Sequence, residues 1–144
     1  MHYHKPLIIS IPGNENQKGA ACSSITELID VYPTLSELCG LSQKQPKILQ
    51  GESLTPFLQN PTLDNKSAIA YTISENGKAA SIRTKYWRYT RWGDEVLEAN
   101  EELYDHINDP EEEYNLAKSI AHKSKLEELR TKFERVKSKT LQDK

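Results

Sequence analysis

Residues 101–117 read Glu-Glu-Leu-Tyr-Asp-His-Ile-Asn-Asp-Pro-Glu-Glu-Glu-Tyr-Asn-Leu-Ala, and this stretch decides how the second half of the chain is organised. Leu103 and Tyr104 read as the end of a strand. Asp109-Pro110 disfavours helix at the residue before proline and starts a turn, and Asn115 can cap the next segment. None of these residues is an evident nucleophile.

Upstream of this stretch the residue pattern alternates with the period of a strand. Four strand segments are expected, at 68–74, 79–84, 86–92 and 102–106. Asn76-Gly77 between the first two is a strong hairpin signal, so an antiparallel meander is the natural reading. Downstream, Leu126, Leu129, Phe133 and Val136 recur at steps of three and four, with Ser124 and Glu127 set as a capping box. A long amphipathic C-terminal helix is expected to bury that stripe on the sheet.

The first half has a different pattern. Pro6-Leu7-Ile8-Ile9-Ser10-Ile11 is apolar, rich in β-branched residues and stopped by Pro12-Gly13, which reads as a buried strand. Ile25, Leu28, Ile29, Tyr32, Leu35, Leu38 and Cys39 then recur at helical spacing up to Gly40, a suitable left-handed C-cap. Pro33 is comfortable only in a first turn, so Asp30 is the preferred N-cap; Ser24 with Glu27 is the competing start and would need a kink at Pro33. Residues 41–51 look irregular. Residues 53–58 read as one or two helical turns, with Leu54, Phe57 and Leu58 as an anchor to the core.

A chain of 144 residues with 36% hydrophobic and 28% charged content suits one soluble domain with a modest core. No apolar run approaches the ~20 residues that cross a bilayer, and the start lacks the apolar segment of a secretory signal. The formal net charge of −2 hides an asymmetry. Residues 94–113 hold ten carboxylates and no Lys or Arg, while residues 118–144 hold nine basic and four acidic residues. Each block is the natural partner of the other. Glu127, Glu128 and Glu134 interleave the basic residues, so a solvated helix face is preferred to nucleic-acid binding. Two buried thiols are the preferred reading of Cys22 and Cys39 over a disulfide.

Four ordered blocks carry a family resemblance. Residues 101–117 resemble the ELYD-x-x-x-DP-x-E-x-x-NLA signature near the C-terminus of sulfatases. Residues 6–13 are similar to the family's VPLII-x-x-PG strand, residues 30–41 to its VDLYPTLLELAGL helix, and residues 49–58 to its LQG-x-SL-x-PLL segment. Ser81-Ile82-Arg83-Thr84, with Tyr86, Arg88, Tyr89, Thr90 and Trp92, further resembles the iduronate-2-sulfatase branch.

The resemblance implies membership of the alkaline phosphatase-like superfamily, whose sulfatases cleave sulfate esters with a formylglycine made from a C/S-x-P-x-R motif, near a bound Ca²⁺. Neither Cys22 nor Cys39 has proline at +2 or arginine at +4, so no catalytic residue is carried over. The family's acidic metal pairs have no match here either, so Ca²⁺ and formylglycine are expected only in the family's N-terminal part. Asp64-Asn65, and Asp109 with Glu111, Glu112 and Glu113, are read as polar turns rather than metal sites. His106 and His122 are read as surface residues.

His4, Arg88 and Trp92 remain as substrate-facing candidates. The resemblance implies a His or Arg beside the substrate cleft where His4 falls, with a terminal exposed histidine as the preferred simpler reading of that residue. Alternation puts Tyr86, Arg88, Thr90 and Trp92 on one face of their strand, where cationic and aromatic groups could hold a sulfated sugar. Packing of one face under the helix, with the other left as a wet sheet surface, is the preferred simpler reading.

The expected class is α+β: a strand and helix from the edge of an α/β sulfatase domain, then a small four-stranded antiparallel sheet packed by a long C-terminal helix. Residues 1–45 would be the remnant of the large domain, 46–66 a connection, and 67–144 the sheet-and-helix subdomain. The expected function is the structural, noncatalytic C-terminal part of a sulfatase, contributing to a sulfated-glycan cleft. The alternative is a standalone glycan-binding or protein-assembly module. A homo-oligomer through residues 1–45 and a sulfated carbohydrate are the expected partners, with neither nucleic acid nor membrane. Full-length relatives are usually exported or lysosomal; for this chain the compartment stays open.

Overall fold

The computed structural model describes residues 6–13, 19–65, 68–74, 78–93 and 98–142. The chain forms two compact units, Tyr3–Ala68 and Ile69–Lys144.

The second unit is an α+β meander. Strands β1 (Ala70–Ser74), β2 (Ala79–Arg83), β3 (Trp87–Trp92) and β4 (Glu101–Asp105) pair antiparallel in the order β1-β2-β3-β4. Each strand lies within two residues of its expected place, because the period-2 pattern follows the pleat. The Asn76-Gly77 turn falls outside the described residues. Helix α3 (Lys123–Gln142) covers one face of the sheet.

Ile82, Tyr89 and Leu103 from three neighbouring strands meet Leu126, Leu129 and Phe133 from α3 in the core. The Phe133 ring stands edge-on to Tyr71 and Tyr89, at 5.9 and 5.4 Å between centroids, the geometry that ring quadrupoles favour. Arg91, 2% exposed, lays its guanidinium 4.5 Å over the same ring and donates to Glu134 Oε1 at 2.5 Å. The entry to α3 differs from the Ser124 capping box. A 3₁₀ turn, Ile120–His122, runs into the helix with Ser119 at its N-cap position, so Ser124 already lies inside the helix.

In the first unit, the 3₁₀ turn Leu28–Asp30 leads into α1 (Val31–Leu38), with Pro33 in the first turn. Asp30 stands at the N-cap, but its carboxylate reaches elsewhere: Oδ2 accepts from the Glu27 N–H and Oδ1 from the Glu52 N–H. Thr34, fully buried, donates to the Asp30 carbonyl at 2.5 Å and accepts from the Leu54 N–H at 2.8 Å. Gly51 permits this approach, because a Cβ there would sit 2.1 Å from the Ile29 carbonyl oxygen. Segment 49–58, with α2 (Thr55–Gln59), is thereby pinned to the start of α1. At the other end, Gly40 at φ +69° lets the Leu41 N–H reach the Ser36 carbonyl and its own N–H reach that of Glu37, a Schellman closure.

Two expectations in this unit are corrected. Residues 6–11 form no strand, and Leu7 and Ile8 are 42% and 85% exposed; apolar, β-branched residues need a ladder partner to become a strand. The apolar stripe is exposed at Leu28 and Ile29 of the 3₁₀ turn and at Tyr32, Leu35 and Leu38 of α1, because the polar anchors of Asp30 and Thr34 fix which side faces segment 49–58. Cys22 and Cys39 are free, as expected, but exposed rather than buried.

Candidate functional site

The β3 alternation sorts its side chains. Trp87, Tyr89 and Arg91 face α3, while Arg88, Thr90 and Trp92 take the opposite face, the open face of this unit's sheet among its described residues. Register adds the neighbours on that open face: Arg83 lies opposite Arg88 on one side and Tyr104 on the other, and Ser81 and Glu102 flank Thr90. Arg88 and Trp92 are ~13 Å apart along the strand at the usual rise. His4 lies outside the described residues.

A small ionic cluster occupies the Arg88 end. Arg88 Nη1 donates to Glu112 Oε2 at 2.9 Å, and His106 Nε2 lies 2.6 Å from Glu112 Oε1. Glu112 reaches both from a left-handed backbone, φ +58°, uncommon outside glycine and worth noting where polar groups converge. His106 departs from its expected surface position: its side chain is only 7% exposed, because the loop after β4 folds it inward onto Glu112. Burial lowers the His106 pKa, helped by Arg83 and Arg88, and this outweighs the raising effect of Glu112. Burial likewise lowers the Arg83 pKa, the Arg88 charge adds to the lowering, and Glu112 opposes it. At the other end Trp92 is 42% exposed, and its indole N–H donates to Glu102 Oε1 at 3.3 Å.

The 101–117 stretch proves to be the brace of this face. Asp105 accepts from the Ile107 N–H and the Asn108 amide, and Asp109 from the Glu113 and Tyr114 N–H groups, so both carboxylates shape the turn. Asn115 accepts from the Leu103 N–H and donates to the Glu101 carbonyl, while the Leu116 N–H donates to the Leu103 carbonyl. The free edge of β4 is covered by these bonds. Sequence reasoning misses Arg83, His106 and Glu112 as members of one cluster: only the Arg83–Arg88 register brings the first in, and only the loop fold brings the other two.

The formylglycine and Ca²⁺ of the sulfatase resemblance do not fit these residues. Neither cysteine is in the required motif, and among the described residues no group of three or more His, Cys, Asp or Glu could hold a metal ion. Within the first unit, Ile11, Pro12, Leu38, Thr55 and Leu58 line a shallow groove of about 380 Å³ that carries no ionisable group. Among the described residues no helix is long and apolar enough to cross a membrane.

Residues 2–139 match the family model described as N-sulphoglucosamine sulphohydrolase, C-terminal. The chain belongs to this sulfatase C-terminal family. Human arylsulfatase K is 30% identical over 127 residues, covering 79% of this chain and 22% of the relative. The Delta 4,5-hexuronate-2-O-sulfatase of Bacteroides thetaiotaomicron is 33% identical over 135 residues, covering 87% and 26%. A solved 2-O GAG sulfatase superposes with a TM-score of 0.61 at 30% identity, covering 79% of this chain and 25% of that one. This sulfatase C-terminal chain therefore spans about a quarter of the length of these relatives.

Proposed function

We propose that the chain is the noncatalytic C-terminal part of a sulfatase directed at 2-O-sulfated uronic sugars, of the iduronate-2-sulfatase-like kind. Its open sheet face would form one wall of the sugar-binding surface. The observation that carries this reading is the 33% identity to a hexuronate-2-O-sulfatase over 87% of the chain. Arg88 supplies charge-assisted donors for an anionic substituent, and the exposed Trp92 ring supplies a surface on which a sugar can stack. The test is calorimetric titration of the chain with a 2-O-sulfated uronic disaccharide and with a 6-O-sulfated glucosamine disaccharide. Tighter binding of the first is expected; equal affinity, or no binding of either, would overturn the reading.

A second reading, an assembly module, is favoured by one observation: the apolar stripe of α1 faces outward. Its occupant would be a second copy of this chain, giving a homo-oligomer through the first unit.

A further inference from the structure

Glu101 and Glu102 are neighbours on β4 but differ in what they meet. Glu101 faces α3 and is bonded to Arg130. Glu102 lies on the open face, and among the described residues its one hydrogen bond comes from the Trp92 indole N–H, which donates to Oε1 at 3.3 Å. The other carboxylate at this face, Glu112, is taken up by Arg88 and His106. Glu102 therefore keeps its negative charge with no cation bonded to it among the described residues, and an ionised carboxylate has acceptor capacity beyond one bond. The Trp92 ring is exposed, and its bond to Glu102 restrains how the ring turns. Register sets Ala79 across from Trp92 on β2, so no long side chain rises beside the ring from that strand. A flat apolar surface thus stands next to a carboxylate whose charge is not neutralised. Arg88 stands ~13 Å away along the same strand at the usual rise, so the face carries opposite charges at its two ends.

We propose that Trp92 and Glu102 form a subsite for an uncharged sugar ring, and that Glu102 makes this subsite reject a ring carrying sulfate or carboxylate. The C–H face of a pyranose is apolar and covers the indole, which removes both surfaces from water. Hydroxyls at the rim of that ring donate to the Glu102 carboxylate, and ionised acceptors make stronger hydrogen bonds than neutral ones. An anionic substituent on the same ring meets the Glu102 charge within the Debye length of about 10 Å at 0.1 M salt, so it is repelled. Glu102 is then the specificity-determining residue of this end, and a glycan lies with an anionic unit toward Arg88 and an uncharged unit on Trp92. The inference deepens the sugar-binding reading and rests on it for the ligand class, while the preference for an uncharged ring rests on Trp92 and Glu102 alone.

The experiment follows the indole N–H signals of the two tryptophans in the 144-residue chain by NMR. The chain is titrated with methyl β-glucoside and, separately, with the 6-O-sulfate of the same glucoside, with sodium chloride matching the ionic strength. Trp87, which faces α3 and has Lys125 Nζ 5.8 Å from its ring centroid, is the internal reference. A saturable shift is expected at Trp92 and not at Trp87, with the sulfated glucoside bound about threefold more weakly, the scale of an exposed charge pair. Glu102→Gln keeps an acceptor for the indole N–H but removes the charge. It should weaken binding of the plain glucoside by about fivefold, the difference between a charged and a neutral acceptor, and erase the discrimination against the sulfated one. Trp92→Ala, read from the Gly93 and Glu102 amides, should abolish saturable binding of both. Lys132→Gln, on α3, should leave binding unchanged. Should Trp92→Ala disturb the core signals of Leu103 or Phe133, Glu102→Gln alone decides. No saturable shift at Trp92, equal or tighter binding of the sulfated glucoside, or discrimination that survives in Glu102→Gln would overturn the proposal. A negative result at Trp92 leaves the preference for 2-O-sulfated uronic sugars to its own calorimetric test, and failure of that preference leaves the Trp92 subsite standing.

Discussion

Glu101, at the first position of β4, is locked to Arg130 of α3: the Arg130 Nε–H donates to Glu101 Oε1 at 2.8 Å, and a second donor reaches Oε2. The Tyr89 hydroxyl donates to the same carboxylate at 2.6 Å. A carboxylate with 1% exposed side chain is thus satisfied by a bidentate cation and a phenol, and the acidic and basic halves of the sequence are joined at this point.

Arg130→Ala leaves the buried Glu101 carboxylate without its cation. Breaking such a pair on one side costs about 3–5 kcal/mol, and the remaining Tyr89 bond keeps the expected loss at about 3 kcal/mol. Urea denaturation checks this. An unchanged midpoint would mean that the pair does not hold the sheet to the helix.

Acid should destabilise the second unit in two stages. Burial lowers the His106 pKa, so the unfolded chain takes up the proton first. Stability is full above the unfolded value of ~6.5 and falls as pH drops from there toward the folded pKa. The Glu101 pKa is also depressed: burial pushes it up, but the Arg130 and Tyr89 hydrogen bonds and the nearby arginine charges push it further down. Its contribution is present above ~4.3 and lost as pH falls through its lower folded value. Denaturation midpoints at pH 7.5, 5.5 and 4 should fall in order, and His106→Gln should flatten the first drop. A wild-type midpoint that rises from pH 7.5 to 5.5 would rule out the first stage.

Gly51→Ala should destabilise the first unit, since the new Cβ would meet the Ile29 carbonyl at 2.1 Å. Forced accommodation of that kind costs about 1–3 kcal/mol. Thr34→Val should act in the same direction, because the Leu54 N–H loses its buried acceptor. Amide exchange at Leu54 reports both; full protection in both variants would mean that neither contact pins segment 49–58 to α1.

The sheet and α3 were legible in the sequence because Ile82, Tyr89 and Leu103 alternate with polar residues and Leu126, Leu129 and Phe133 repeat at helical steps. Local pattern and packing agree there. The first half shows where pattern stops being informative. Ile8 and Leu28 are as apolar as any core residue, but apolarity does not say what covers them. The orientation of α1 is set by Asp30 and Thr34, whose bonds to Glu52 and Leu54 span about twenty residues and have no periodic signature. Of the site, Arg88 and Trp92 could be placed on one face by counting, whereas Arg83, His106 and Glu112 needed the register and the loop.

The outward stripe of α1 should drive association. Leu28→Glu combined with Leu35→Glu places two charges where Leu28 and Leu35 are 85% and 51% exposed. Light scattering is expected to show a dimer or larger species for the parent chain and a monomer for the variant. A monomeric parent at high concentration would exclude the homo-oligomer.

On the proposed function, this chain offers its open sheet face to a 2-O-sulfated uronic sugar without cleaving it. One NMR sample tests both halves of that statement: the chain with an unsaturated 2-O-sulfated uronic disaccharide and Ca²⁺, observing chain amides and the sugar H2 resonance together. Saturable shifts are expected on β2 and β3 around Ser81, Arg83, Arg88 and Thr90, with the H2 signal of the sulfated sugar unchanged over days. Desulfation abolished by a point change in this chain, or an absence of shifts on that face, would overturn the proposal.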